Sequence, residues 1–509
     1  MSLHHAFEQA ARRLPHKPAL VCGERRLSYG ELQRAVSALA HALREDGVAP
    51  GERVIVFLEN SVEFAVGVLA VLAAGAVVVP ISPLAKADKL RFVARDTGAA
   101  AMLTHAMLAP AWEPALDDVV ADVRSIRVAG VSQPSAVDAR VRAWPEAGAS
   151  RDMDEPLRSD ADLAALIYTS GTTGVPKGVM LTHANLRSAW DSIQAYLCLR
   201  EDDVIGLALP AAFSYGLNNL LMGLSVGATV VIERGAAFPV KLAQVLARER
   251  VTVFPGVPTL FASLLALQNL DAFDFSALRL VTNAAAALPE PHLHRIRALW
   301  PQAQLFAMYG LTECVRASYL PPAEIDHRPG SVGRGIAHQT HWLVDEHGRR
   351  LPDGSIGELV VSGAHVSPGY WQRPEETRQR MGVDASTGER LLRTGDLFRS
   401  DAEGYLYFVA RQDDIIKTRG EKVAPREVEN VIYQLDAVTG CAVVGVADDA
   451  LGQAVKAYVT LRPGCTLAER DIVKHCLARL ENYMAPKFVE IVDELPRTES
   501  GKIRHASLR

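Results

Sequence analysis

The stretch Tyr168-Thr-Ser-Gly-Thr-Thr-Gly-Val-Pro-Lys-Gly178 follows directly on the apolar run Leu163 to Ile167 and gathers hydroxyls, glycines and one cation. Glycines let backbone N–H groups approach an anion, and the hydroxyls of Thr169, Ser170, Thr172 and Thr173 add donors. Lys177 brings a full positive charge, and the combination suits a polyphosphate. The Walker A pattern is excluded: counting five on from Gly171 reaches Pro176, and no Ser or Thr follows Lys177. Standing alone, the segment reads better as a flexible Ser/Thr/Gly surface loop than as a phosphate cradle.

It does not stand alone. Met308-Tyr-Gly-Leu-Thr-Glu313, Arg393-Thr-Gly-Asp396, the string Ala410 to Gly420 running on through Pro425 and Glu427, and Pro496-Arg-Thr-Glu-Ser-Gly-Lys502 follow in order. With the early Leu72-Ala-Ala-Gly-Ala-Val-Val-Val-Pro-Ile-Ser-Pro83, the series resembles the adenylate-forming superfamily of acyl-CoA synthetases, peptide-synthetase adenylation domains and luciferases. The resemblance spans nearly the whole chain. It implies an acid that attacks the α-phosphate of ATP, releases pyrophosphate and becomes an acyl-adenylate, which a thiol then captures. That thiol belongs to CoA or to a carrier protein's phosphopantetheine arm.

Residue by residue, the resemblance implies that Lys502 bridges the acyl carboxylate and the α-phosphate, Thr312 touches the phosphate, and Glu313 ligates Mg²⁺ as a hard oxygen donor. Thr169, Ser170, Gly171, Thr172, Thr173, Gly174 and Lys177 would cradle the phosphates. Tyr309 would stack on adenine, which the small residues Ala284, Ala285 and Ala286 let approach the backbone. Asp396 would accept hydrogen bonds from the ribose hydroxyls and Arg411 would donate to them. Asp413 matches the hinge about which a small C-terminal lobe rotates between half-reactions, and Gly420 the wall of a thiol tunnel. A glycine marking a turn is the simpler account of Gly420.

Amino-acid-activating members hold the substrate ammonium with an aspartate where this chain has Ser214, so an ordinary α-amino acid is disfavoured. Apolar acyl or aryl acids are favoured, with Phe213 as an aromatic gate, although core packing explains that ring as well. Asn218, Val257, Asn283 and Arg316 are the further acyl-pocket candidates. Arg316 could recognise a second carboxylate, and surface pairing is the commoner fate of an arginine. The path from Glu313 to Gly357 is compact and lacks the insertion of dedicated acyl-AMP ligases, which favours CoA over a carrier protein as acceptor. Cys314 beside Glu313 invites a nucleophile reading, rejected because no histidine pairs with it and the adenylate route needs none. A non-catalytic nucleotide-binding regulator is the reading from another class, opposed by intact Lys177, Glu313 and Lys502.

The elements that must position these groups are written in the alternation of short apolar runs with helix-patterned stretches. Arg53 to Leu58, Val77 to Ile81, Ala165 to Tyr168, Ala228 to Ile232, Val251 to Phe254 and Leu278 to Thr282 predict parallel strands covered by helices. Phe64 to Val79 is apolar enough to raise a membrane span, but Gly75 and Pro80 divide it into a buried helix and a strand stopped by the proline. Residues 109 to 162, rich in Ala, Pro, Asp and Arg, read as a surface excursion without chemistry. Gly357 to Gly363 and Tyr405 to Val409 predict a β-rich layer. After Asp413, a helix over Pro425 to Gln434, strands over Gly440 to Val446 and Ala454 to Leu461, and a helix over Leu467 to Leu480 predict a mixed lobe.

The expected fold is therefore α/β: an N-terminal body over 1–412 of helix-covered sheets plus a β-rich layer, and a mobile α+β lobe over 413–509. Composition agrees, with 49% apolar and 22% charged residues in 509. A net charge of −5 offers no basic field for nucleic acid. Six cysteines without a CxxC pair, and no secretory signal near Met1, predict a reduced, cytoplasmic protein.

Overall fold

The computed structural model describes residues 3–116, 123–131, 138–148, 159–170, 176–233, 238–418, 421–448, 451–499 and 502–508. The apolar run after Ser61 folds as the helix Val62–Ala73, in which every residue but Glu63 is buried. The Ser61 hydroxyl accepts from the Phe64 N–H at 3.1 Å, satisfying one of the donors that a helix start leaves open. Gly75, at a φ of 77° that suits a residue without Cβ, turns the chain into the strand Val77–Ile81. Pro80 does not stop this strand, contrary to expectation: it pairs in register with Val56. The ladder on the other side has ended at Val78, opposite Ala165, so the proline lies beyond it.

That strand belongs to a sheet whose described strands run Val141–Ala143, Ser125–Ala129, Ala101–His105, Arg53–Phe57, Val77–Ile81, Leu163–Ser170 and Pro176–Thr182. All neighbours are parallel except the last pair, a hairpin. The stretch read as a surface excursion is thus partly structural. Ser125–Ala129 and Val141–Ala143 extend the sheet edge, and Ile126, Val128 and Val141 join Trp112 in its core.

A second sheet runs parallel through Pro18–Cys22, Thr229–Ile232, Val204–Leu207, Val253–Gly256, Leu280–Asn283 and Gln304–Tyr309. It turns antiparallel at Ser318–Leu320 and Ser331–Gly335, then continues into a β-rich layer of Leu406–Arg411, Arg390–Ser400, Ile356–Gly363 and Gln339–Val344. Tyr309 closes one strand of this sheet, and Asp396, inside Arg390–Ser400, faces Arg411 at the end of Leu406–Arg411 in register.

The chain leaves this sheet at Arg411, and Gln412–Asp414 leads it to Ile416–Thr418, the first strand of a separate sheet. That sheet adds Glu421–Val423, Val438–Asp448, Gly452–Leu461 and Phe488–Ile491, packed by helices Pro425–Ile432 and Glu469–Leu477. Its apolar residues form their own cluster around Val428, Ile432, Val443, Val459 and Ile472. All six cysteines are free thiols. No helix among the described residues is long and apolar enough to cross a membrane.

Candidate active site

The hairpin Leu163–Ser170 and Pro176–Thr182 holds Thr169 opposite Lys177 and Ser170 opposite Pro176. It therefore brings together the two ends of the glycine- and hydroxyl-rich loop, whose Gly171, Thr172, Thr173 and Gly174 lie outside the described residues. So does Gly420. The outer arm is fixed by the segment 367–371: the Met180 N–H donates to the Gly369 carbonyl at 3.0 Å and the Trp371 N–H to the Gly178 carbonyl at 2.8 Å. In consequence the Lys177 ammonium lies 5.7 Å from the centre of the Tyr370 ring. The Tyr370 hydroxyl donates to Glu313 Oε1 at 2.8 Å, and the Ser367 N–H donates to the Glu313 carbonyl at 2.8 Å. Lys177, Tyr370 and Glu313 thus form one connected row.

Glu313 and Thr312 sit on a turn that doubles back after Tyr309-Gly310. A Cβ on Gly310 would stand 2.6 Å from the Val315 carbonyl oxygen and 2.9 Å from the Arg316 Cα, so only glycine admits this return. Val315 takes a φ of 60°, a left-handed conformation that β-branched residues resist. Cys314 inside the turn is fully buried, and desolvation pushes its thiol up to about 12, which leaves it inert at neutral pH.

The Tyr309 hydroxyl donates to Asp396 Oδ2 at 2.6 Å, and Phe398 meets the Tyr309 ring edge-on at 4.8 Å. Arg411 Nε stands 3.6 Å from Asp396 Oδ1. Burial raises the Asp396 carboxyl above the ordinary range, opposed by Arg411, the Tyr309 hydroxyl, Arg380 and Lys502. The loop after Leu280–Asn283 lies alongside. Ala284 is buried, Ala285 has a φ of 71°, and the Ala286 carbonyl accepts from Asn283 Nδ2 at 2.9 Å.

Lys502 enters from the C-terminal lobe. A bridge between Arg497 and Ile503 and the hydrogen bonds that Thr498 and Lys502 exchange shape its loop. Enclosure by protein lowers the Lys502 pKa and Arg411 adds to this, while Asp396 and Glu313 oppose it. The residue is nonetheless exposed to solvent. The same loop is tied to the body by an ion pair of 2.7 Å between Glu499 and Lys89. Farther along the lobe, Arg426 donates to the Ala287 carbonyl at 2.9 Å.

Thus one cleft receives Lys177, Glu313, Tyr309, Asp396, Arg411 and Lys502. Asp413 lies at the connection between the two sheets. Of the acyl-pocket candidates, Asn218 and Arg316 line a cavity behind Tyr309 and the Asn283 loop, whereas Phe213 and Val257 occupy helix N-cap positions. Asn283 ends its strand with Oδ1 unpartnered among the described residues. Arg316 is not a surface arginine: it is only 5% exposed. Tyr370, Arg380 and Lys89 were not anticipated. Their segments hold no ordered pattern of chemical groups, and only the pairing of 367–371 with the hairpin of Leu163–Ser170 and Pro176–Thr182 reveals Tyr370.

The family model for AMP-binding enzymes matches residues 7–371, and that for the AMP-binding enzyme C-terminal domain matches 427–502. A long-chain-fatty-acid–CoA ligase of Escherichia coli is 32% identical over all of this chain and 94% of its own length. Tyrocidine synthase 2 of Brevibacillus parabrevis is 31% identical over all of the chain, which spans 14% of that much longer protein. The crystal structure of an anthranilate CoA ligase with anthranoyl-AMP superposes with a TM-score of 0.90 at 27% identity, covering all of this chain and 96% of that one.

Proposed function

The chain belongs to the AMP-binding enzyme family, and on that footing we propose that it activates an apolar acyl or aryl acid with ATP and passes the acyl group to CoA. The single observation that carries this reading is Lys502: the small lobe delivers its ammonium into the cleft that Asp396 and Glu313 share.

A carboxylate attacking a triphosphate is an anion approaching an anion, so fixed positive charge is the main requirement of the first step. Lys502 bridges the incoming carboxylate and the α-phosphate, and Lys177 meets the outgoing pyrophosphate. Thr312 holds a phosphate oxygen, and Asp396 with Arg411 orients the ribose. Tyr309 flanks the adenine, for which Ala284, Ala285 and Ala286 leave room. The buried Glu313 carboxylate, already aimed by Tyr370, offers the hard oxygen donor that Mg²⁺ prefers; the ion would neutralise phosphate charge there. Once the acyl-adenylate has formed, the lobe beyond Gln412–Asp414 rotates about Asp413, withdraws Lys502 and admits the thiol. Gly420 then lines its path. Six free thiols suit a reducing compartment such as the cytoplasm.

Full-length similarity to a segment of a peptide synthetase favours one second reading, transfer to a carrier-protein phosphopantetheine arm. Incubation with ATP, Mg²⁺, a panel of acids and either CoA or holo-carrier protein tests both, with pyrophosphate release and thioester mass as readouts. Release dependent on an acid, followed by acyl-CoA, is expected. Release independent of every acid would overturn the proposal.

A further inference from the structure

The cavity behind the nucleotide cleft lies between helices His183–Leu197 and Ser214–Val226 and the ends of strands Leu280–Asn283 and Gln304–Tyr309. Its lining includes the apolar Ile193, Met222 and Met308 and the polar Tyr215, Thr282 and Arg316.

Arg316 is the unusual member. Its side chain is 5% exposed, its Nε has no hydrogen-bond partner, and no carboxylate pairs with it among the described residues. A guanidinium cannot shed its proton in a protein, so this is a permanent buried charge. The neighbours do not neutralise it. The Tyr215 ring centre lies 5.4 Å from the guanidinium carbon, a cation–π contact that offsets only part of the desolvation. The Tyr196 hydroxyl hydrogen-bonds with Arg316, but burial holds the Tyr196 and Tyr215 hydroxyls up at about 12, so neither supplies negative charge at neutral pH. Glu313, three residues earlier, is turned away to Tyr370. Asn218 is fixed too, accepting from Trp190 Nε1 at 2.5 Å and donating to the Ser214 carbonyl at 2.7 Å.

A buried ion without a counter-charge is costly, and the cavity is the space from which one can come. We infer that the acid this protein activates carries a second carboxylate, which pairs with Arg316 while an apolar body lies against Ile193, Met222 and Met308. The inference rests on the acid-activation reading above and names the substrate class of that site.

The test uses the purified full-length chain in acid-dependent ATP–pyrophosphate exchange. The probes are straight-chain dicarboxylic acids and benzene-dicarboxylic acids, each paired with its monoamide, plus simple fatty and aryl acids. Wild type is expected to prefer diacid over monoamide by about 10²- to 10⁴-fold in kcat/KM, because the amide leaves the guanidinium unpaired. Arg316→Met should collapse that ratio to near one, and Arg316→Lys should keep part of it. Without any acid, Arg316→Met should also raise the thermal midpoint, since it removes an uncompensated charge; an arginine with a purely structural role predicts a fall. ATP should raise the midpoint of every variant that has kept its fold. Monoamides or simple monoacids serving wild type as well as diacids, or a lower midpoint for Arg316→Met, would overturn the inference alone. No exchange with any acid would overturn the acid-activation reading itself.

Discussion

Reversing the charge of Lys89 tests whether the small lobe is held in the orientation seen here by the ion pair to Glu499. The two side chains are 35% and 24% exposed at an N–O separation of 2.7 Å, so solvent screens them and the pair contributes about 0.2–1 kcal/mol. Lys89→Glu removes that and sets two carboxylates face to face, a further repulsion of similar size. The sum of about 0.4–2 kcal/mol corresponds to a loss of up to about 2- to 30-fold in the fraction of molecules with Lys502 in the cleft. Acid-dependent ATP–pyrophosphate exchange should fall by that factor. Thioester formation from supplied acyl-adenylate, which needs the other orientation, should not fall. Adding Glu499→Lys restores the attraction with signs exchanged, and the double variant should recover most of the exchange rate. At about 1 M salt, where the Debye length is only about 3 Å, wild type and Lys89→Glu should converge. An unchanged exchange rate, equal loss in both half-reactions, or no recovery in the double variant would refute the tether.

Lys502→Ala should slow pyrophosphate exchange by about 10²-fold or more, the scale of losing one transition-state donor, while thioester formation from added acyl-adenylate persists. The ammonium is the working form, present below its pKa and lost as pH rises. With that pKa held below the ordinary lysine value of 10.5, the alkaline limb of kcat/KM should fall below pH 10.5 and move upward in Lys502→Arg. Tyr370→Phe takes from Glu313 a hydrogen bond to a charged group, worth about 1.5–3 kcal/mol, and a Mg²⁺ titration of exchange should show a roughly 10- to 100-fold weaker dependence. Gly310→Ala drives a Cβ into the backbone of Val315, and thermal unfolding should show about 1–3 kcal/mol of lost stability.

Much of this architecture was legible because burial leaves a periodic record. Arg53–Phe57 lies within its predicted run from Arg53 to Leu58, and the helix Glu469–Leu477 lies within the amphipathic stretch from Leu467 to Leu480. Errors arose where pairing overrides local signals. Pro80 reads as a terminator until the neighbouring ladder is seen to end at Val78. The strands Ser125–Ala129 and Val141–Ala143 are short and set in polar, alanine-rich chain, so only their place at a sheet edge explains them. The candidate site divides likewise. Tyr309, Glu313, Asp396 and Lys502 announced themselves through ordered motifs. Tyr370 reaches Glu313 only because distant backbone joins the hairpin of Leu163–Ser170 and Pro176–Thr182, and the enclosure of Arg316 draws on the helix His183–Leu197, more than a hundred residues upstream.

Val315, held left-handed at a φ of 60°, stands between Glu313 and Arg316. Such a backbone costs about 1–3 kcal/mol and persists only where surrounding packing imposes it. On the functional reading proposed above, any change that relaxes this one residue re-aims both neighbours at once, a carboxylate that serves the nucleotide and a guanidinium that serves the acid. Tolerance for new acids and command of the nucleotide are therefore inherited together through a single peptide turn, and mutational drift that broadens one must first pass through a disturbance of the other.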